Sequence, residues 1–399
     1  MVTINALNVK KDIFWLGALD FELRTFDIIM HTDFGTTYNS YLIKGTEKTV
    51  LVEVVKENFF EEFKKRASTI CDLSEIDCLV VSHTEPDHVG SVAKLLEINP
   101  NLEIIGTGMA IKFLKSIVNK EFTSRVIKDN ELLDIGGKTL KFITVPFLHW
   151  PDTIYTYISE DKTLLTCDSF GCHYCTHEIF NDLLDWNNDL EAAYKYYFDC
   201  IMSPFKTFVL SALDKIEKLD IETICPGHGP VIRKEAEKYL EMYRQWAQPV
   251  QRTKPKVVIG YLSSYGYTEK IAHNIFEGLQ TSLEIEAVMF NLLEISKEEF
   301  LEHLADAKGL LLGSPTFLSD ALPPIHEILG HLNPITHKGL IACSFGSYGW
   351  SGESVNNINE RFKQLKFKMP IESLKICFNP SEDDLKAAFK LGCDFANEI

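Results

Sequence analysis

The chain has no apolar run that approaches the length of a membrane span, and its opening, Met1-Val2-Thr3-Ile4-Asn5, lacks the basic start and unbroken apolar stretch of a signal peptide. A cytoplasmic protein is expected. It is also short of positive charge, with 40 Lys and Arg against 57 Asp and Glu and a formal net charge of −17. That sign argues against a nucleic-acid backbone as partner, because gripping phosphates needs a basic surface. No repeat period emerges, and no low-complexity segment is present. The ten cysteines are scattered instead of forming a disulfide framework; Cys78, Cys225, Cys343 and Cys377 sit inside apolar runs and read as reduced, buried thiols. Cys172-His173-Tyr174-Cys175 is the one close pair. Without a second pair to complete a tetrahedral site, it reads as structural.

What is present suffices for two hydrophobic cores: 399 residues, 45% hydrophobic and 24% charged. The one plausible linker spans 248–255, with Pro249 and Pro255, after an amphipathic stretch at 234–246. Two domains follow, 1–250 and 251–399. In the second, apolar runs at 257–262, 285–290, 309–312, 340–343 and 374–378 alternate with helical stretches, which predicts a doubly wound, five-stranded parallel sheet. Shorter runs separated by turns and a few helices fit an αβ/βα sandwich in the first.

The most chemically loaded stretch is His83-Thr84-Glu85-Pro86-Asp87-His88, which follows the apolar run Cys78-Leu79-Val80-Val81. A strand ending in such a loop aims several donors at one point, and their alternation of imidazole and carboxylate suits two metal ions better than one. Three further β-like runs also finish in a potential ligand: 140–145 before His149, 163–166 before Asp168, and 222–225 before His228. Together the four strand ends supply four His, two Asp and one Glu. A bridging Asp168 gives each metal four protein ligands. Carboxylates in the set favour iron or manganese, and zinc stays open.

The second half carries its own signature. Ser263-Ser264-Tyr265-Gly266-Tyr267-Thr268 follows the first strand and opens a helix with Ile271, Ile275 and Leu279 on one face. Its hydroxyls and amides can wrap a phosphate at the positive helix end. The loop has no lysine of the triphosphate-binding pattern, so a single phosphate, as on FMN, is the better fit. Gly313-Ser314-Pro315-Thr316-Phe317, followed by Leu318, ends the third strand, and Gly346-Ser347-Tyr348-Gly349-Trp350-Ser351-Gly352 follows the fourth. These loops meet where strand order reverses, the usual seat of a flat cofactor, and Phe317, Tyr348 and Trp350 are placed to flank an isoalloxazine ring.

The order of the metal loop, Leu148-His149-Trp150-Pro151-Asp152, Cys167-Asp168-Ser169-Phe170-Gly171, Pro226-Gly227-His228-Gly229-Pro230 and then a flavodoxin-like half resembles the flavodiiron proteins. Gly35-Thr36-Thr37-Tyr38-Asn39-Ser40-Tyr41-Leu42-Ile43 is a further segment typical of that family, and the resemblance covers nearly the whole chain. It implies a metallo-β-lactamase-like domain followed by a flavodoxin-like one. It further implies one iron held by His83, Glu85 and His149, a second held by Asp87, His88 and His228, and Asp168 bridging them. The family reduces dioxygen to water, nitric oxide to nitrous oxide, or both, with FMN passing electrons from rubredoxin or a reduced deazaflavin. Two ferrous ions and a reduced flavin hold the four electrons that dioxygen requires, and paired irons bring two nitric oxide molecules side by side. The family's head-to-tail dimer implies a homodimer or a pair of dimers.

Departures from the family pattern are local. The loop before Gly35 aligns poorly with one that often carries a histidine behind the metals, leaving His31 as the candidate. Leu318 stands where the family often has Asn. The chain stops at Ile399 with no donor module fused, so a separate donor is expected. His173 and His177 are expected to hydrogen-bond the metal ligands from behind, Trp150 to line the pocket or pack, and Tyr194, Tyr196, Tyr197 and Phe198 to pack on a helix, one of them within reach of the gas pocket. His273, His303, His326, His331 and His337 are expected at solvated positions. Two rival readings remain: a zinc hydrolase with a flavodoxin-like docking module, and an electron carrier or redox sensor with a structural metal.

Overall fold

The computed structural model describes residues 5–249 and 252–399; the opening residues 1–4 and the linker residues Val250 and Gln251 lie outside them. The chain divides into two compact units, Met1–Pro249 and Val250–Ile399.

The first unit is built on period-two patterning. In its sheet of seven strands, Tyr41–Lys44, Thr49–Val52, Cys78–Val80 and Glu103–Gly106 are hydrogen-bonded neighbours, and a second sheet of five strands runs from Leu132–Asp134 to Thr223–Pro226. Side chains of successive residues point to opposite faces of a strand. Accordingly Tyr41, Ile43, Val50 and Val52 pack with Phe142, Ile154 and Leu165 of the second sheet, forming the core between the sheets. Leu42, Leu51, Leu79, Ile143 and Leu164 face the other way and pack with helix residues such as Phe63, Leu95, Val209 and Tyr243. The result is helices outside two facing sheets, the expected αβ/βα sandwich. The strands Thr163–Cys167 and Thr223–Pro226 are parallel neighbours, so both deliver their following residues, Asp168 and His228, at the same end.

The second unit is the doubly wound sheet. Its strand order is Glu286–Asn291, Lys256–Tyr261, Gly309–Gly313, Ile341–Tyr348, Leu374–Cys377, all parallel. Strands covered on both faces need no alternation: Val258, Leu310 and Leu312 join one core, and Val257, Ile259 and Leu311 join the other. The fourth strand runs further than the apolar pattern predicts. Gly346, Ser347 and Tyr348, read as loop, remain in it because pairing with Leu374–Cys377 continues to Tyr348.

Two expectations need correction here. Cys377 is exposed, not buried, since it ends an edge strand. Two of the histidines expected in solvent are half-buried, His303 of the Lys297–Leu304 helix with its ring against Phe290 at 4.6 Å and His337 with its ring 6.4 Å from Phe367. All ten cysteines are free, Cys172 and Cys175 included. No described helix is long and apolar enough to cross a membrane.

Candidate metal centre and cofactor cleft

The strand Cys78–Val80 is buried throughout, and the chain leaves it through Ser82 into the short helix Pro86–Val89. Pro86 opens that helix, where a missing N–H costs nothing. The turn presents Glu85, Asp87 and His88 within four residues. Gly227 lies close behind: a Cβ there would stand 2.7 Å from His88 Cε1, so only glycine admits the imidazole. The segment 36–41 clamps the His228 loop. Asn39 donates to Pro226 O and Gly229 O at 2.9 Å each, Tyr41 Oη donates to Pro226 O at 2.7 Å, and Thr37 Oγ1 accepts the Gly229 N–H at 2.8 Å.

These supports bring all seven sequence-predicted side chains together. Glu85 Oε2 lies 3.0 Å from His83 Nε2 and 2.9 Å from His149 Nε2. Asp87 Oδ2 lies 3.1 Å from His228 Nε2, and Asp87 Oδ1 3.5 Å from His88 Nε2. Asp168 stands between the two sets. Its Oδ2 approaches His83 and His149 at 3.3 and 3.4 Å, while its Oδ1 approaches His88 and His228 at 3.1 and 3.5 Å. His83, Glu85, His149 and Asp168 have ligand atoms close enough to share one ion, and so do Asp87, His88 and His228.

The donors fit cations better than they fit one another. Asp87 Oδ1 and Oδ2 and Asp168 Oδ2 are buried without a well-formed hydrogen bond, which is costly for a carboxylate unless a positive charge compensates. Burial opposes charge on His149, yet Asp168 and Glu85 beside it push its pKa up to about 10. Burial likewise opposes ionisation of Asp168, but His88 and His149 hold it well below the usual carboxylate range.

The Nδ1 atoms point away from the centre to fixed partners. His228 Nδ1 donates to Thr37 O at 2.6 Å. His83 Nδ1 faces Asp152 Oδ1 at 3.7 Å, and Asp152 is itself held by Thr84 Oγ1 at 2.6 Å. His88 Nδ1 faces Glu53 Oε2 at 3.4 Å. Carboxylates behind metal-binding imidazoles fix the tautomer that leaves Nε2 free. Glu53 was invisible to motif reading; its only signal was an acidic residue closing the apolar run 49–52. Asp27 was also missed. It is the residue of the hairpin around Thr25–Phe26 and Met30–His31 that reaches Glu85, with its pKa pushed up to about 6 by burial and the Glu85 hydrogen bond.

Other expected neighbours divide. His31 does not back the metals: its side chain is 67% exposed and pairs with Asp33 at 2.9 Å, because the hairpin turns it outward. His177 is exposed against Phe21. His173 is buried, its ring 5.1 Å from that of His228, and burial holds its pKa well below the usual imidazole value. Tyr197 donates to Asp168 Oδ1 at 3.1 Å from the helix Asn188–Tyr197. Trp150 stands edge-on to His83 at 4.9 Å.

In the second unit, the three loops expected to seat a flat cofactor line one cleft of about 260 Å³ at the ends of the first, third and fourth strands. Tyr265, Phe317 and Trp350 surround it with 85%, 62% and 88% of their surface exposed, an unusual concentration of bare aromatics. Ser319 and Phe378 also line it, and neither was anticipated. Ser263, Gly266, Thr268, Ser314 and Gly352 are off its wall. Thr268 Oγ1 and Ser347 Oγ are 2.8 Å apart, tying two loops together, and Gly266 caps the helix Tyr267–Gln280 without a side chain, so that of its first turn the Glu269 N–H is taken by Ser263 Oγ at 3.3 Å. Leu318 and Ser319 both adopt positive φ, +48° and +62°, in a tight turn closed by Phe317 and Asp320. An Asn at the first position tolerates that backbone better than a leucine.

The sequence matches the ODP family beta lactamase model over residues 36–229 and the flavodoxin model over 259–392. It is 40% identical to the flavo-diiron protein FprA2 of Clostridium acetobutylicum, covering 99% of this chain and all of that one. The chain belongs to the flavodiiron proteins. It is also 35% identical to the nitric oxide reductase of Moorella thermoacetica, over 98% of each chain. Among solved structures, this flavodiiron protein superposes on rubredoxin oxygen:oxidoreductase from Desulfovibrio gigas with a TM-score of 0.69 at 28% identity, covering 99% and 98% of the two chains. The flavodiiron protein of Giardia intestinalis gives 0.67 at 29%, covering 99% and 96%. Like these relatives, the chain is an oxidoreductase.

Proposed function

We propose that this flavodiiron protein reduces dioxygen to water, nitric oxide to nitrous oxide, or both. Residues 1–250 hold two irons, one on His83, Glu85 and His149, the other on Asp87, His88 and His228, with Asp168 between them. Residues 251–399 hold FMN, its ring among Tyr265, Phe317, Tyr348 and Trp350 and its phosphate at the Ser263–Thr268 loop. The observation that carries this reading is Asp168, whose two carboxylate oxygens each face a separate set of imidazoles at 3.1–3.5 Å. Bound, the two irons and the flavin supply the electrons that the gases accept.

The chain's own residues prepare the site. Burial of His83, His88, Asp168 and His228 keeps bulk water from the centre, which strengthens every charge interaction within it. Thr37 O sets the His228 tautomer, while Glu53 and Asp152 place a negative charge behind His88 and His83. Tyr197 holds a proton on its hydroxyl against Asp168 Oδ1. Rubredoxin or a reduced deazaflavin donates electrons to a cytoplasmic, head-to-tail homodimer or a pair of such dimers.

Turnover of each gas with reduced rubredoxin and reduced deazaflavin in parallel, beside metal and flavin analysis, tests this. Two irons and one FMN per chain with consumption of at least one gas are expected. Zinc without flavin, or no consumption by the fully loaded protein, overturns the reading.

A further inference from the structure

A second cleft opens on the first unit beside the helix Asn188–Tyr197, enclosing about 260 Å³. His31, Asp33 and Tyr196 form its exposed rim, and His173 and Tyr197 its buried floor. The helix turns Leu190, Tyr194 and Tyr197 inward. The remaining wall residues of the cleft are Thr32, Phe34, Ala192 and Ala193, the last two being successive small side chains where longer ones would fill the space.

The floor is the outer side of the metal-ligand cluster. Tyr197 contacts Asp168 directly, and His173 is joined to the His228 loop through Thr36. Thr36 Oγ1 lies 2.8 Å from His173 Nδ1 but 3.3 Å from Thr37 O, and Thr37 O already accepts from His228 Nδ1 at 2.6 Å. Thr36 Oγ1 therefore engages one ring nitrogen of His173, leaving Nε2. That atom is buried and has no hydrogen-bond partner. A lone imidazole nitrogen, kept uncharged by burial and set below walls of mostly alanine and aromatic carbon, is poorly suited to an ion, which needs several polar contacts. It suits a small, nearly apolar molecule.

We propose that this cleft is a docking site for a neutral diatomic gas, and the port through which dioxygen or nitric oxide approaches the centre past His173 and Tyr197. The port assignment rests on the gas-reducing function proposed above; the docking site does not.

Crystals of the holoenzyme under xenon pressure test the site without reference to turnover, because xenon enters apolar-walled spaces regardless of chemistry. Xenon beside Ala193 is expected. Ordered water in its place, with no xenon, overturns the proposal. Ala193→Trp, and Ala192→Trp should the first fold poorly, plugs the cleft in the holoenzyme. At normal iron and FMN content, kcat/KM for the gas is expected to fall at least about tenfold, as for a blocked approach. A plugged variant that reacts at the wild-type rate overturns the port. If the wild-type holoenzyme consumes neither gas, the function and the port fall together, and the xenon result alone still decides whether the docking site exists.

Discussion

Glu53→Gln separates orientation of a metal ligand from stability of the fold. Glu53 is buried at a left-handed φ of +60°, where its Oε1 accepts the Ser82 N–H at 2.6 Å and its Oε2 faces His88 Nδ1 at 3.4 Å. The opposite ring nitrogen, Nε2, faces Asp87 and Asp168. A glutamine of equal length keeps the Ser82 bond through its carbonyl but sets an NH₂ against His88 Nδ1–H. Two donors then meet, and the ring relieves the conflict by moving its proton to Nε2, the atom needed by the metal. Loss of such a supporting partner costs about 10–100-fold in metal affinity, about 1.4–2.7 kcal/mol.

The metal-free fold responds differently. Burial pushes the Glu53 pKa up to about 7, so a neutral amide removes a charge that the folded state already disfavours near neutral pH. Its unfolding free energy is expected to stay within about 1 kcal/mol of wild type. Iron retained after dialysis against graded chelator, with flavin absorbance as internal reference and urea denaturation alongside, reads both quantities. Glu53→Gln protein that keeps iron as wild type does, or that loses it only in proportion to lost stability, refutes the orienting role.

Three other outcomes are expected. Asp168→Ala removes the one carboxylate common to both sets, so iron affinity falls by more than the roughly hundredfold of an outer partner while the protein stays yellow; metal analysis and visible absorbance check this, and iron retention would contradict it. Burial opposes a charged His149, but its carboxylate neighbours push it up to about 10, so iron uptake near neutral pH must displace protons and retention weakens as pH falls; calorimetry showing no dependence on buffer ionisation enthalpy would count against this. Asp306→Ala leaves Lys256, whose side chain is 4% exposed, with only the His303 carbonyl, for a loss of about 2–4 kcal/mol, since breaking a buried pair strands a charge. Because the folded pKa of Asp306 is lowered against burial by Arg252 and Lys256, that stability is present above its unfolded pKa and is lost as pH falls through the folded value, which denaturation curves across acid pH can follow.

The seven candidate donors were legible in the sequence because they cluster in the segments that follow four apolar runs, and a strand fixes where the loop beyond it begins. The same holds for Tyr265, Phe317 and Trp350 on the strand-end loops of the second unit. What failed depended on direction or on distant pairing. His31 and Asp27 lie four residues apart in one hairpin, and nothing in their spacing says that Asp27 turns toward Glu85 while His31 turns to solvent. Glu53 and Asp152 sit 35 and 69 residues from the histidines they back, so only the assembled sheets reveal them. The Gly346–Tyr348 stretch reads as a loop by composition, yet pairing with the edge strand Leu374–Cys377 overrides that preference.

The support behind the seven donors is uneven, and the unevenness has a chemical direction. Each set contains one imidazole backed by a buried carboxylate, His83 by Asp152 and His88 by Glu53, and His228 is pinned by a backbone carbonyl. His149 and Glu85 are the least buried of the seven side chains, at 16% and 11%, and both belong to the same set. The His149–Glu85 edge is therefore the more accessible side of the centre. A centre held at its back and accessible at one edge can exchange what it binds without losing the geometry that binds it.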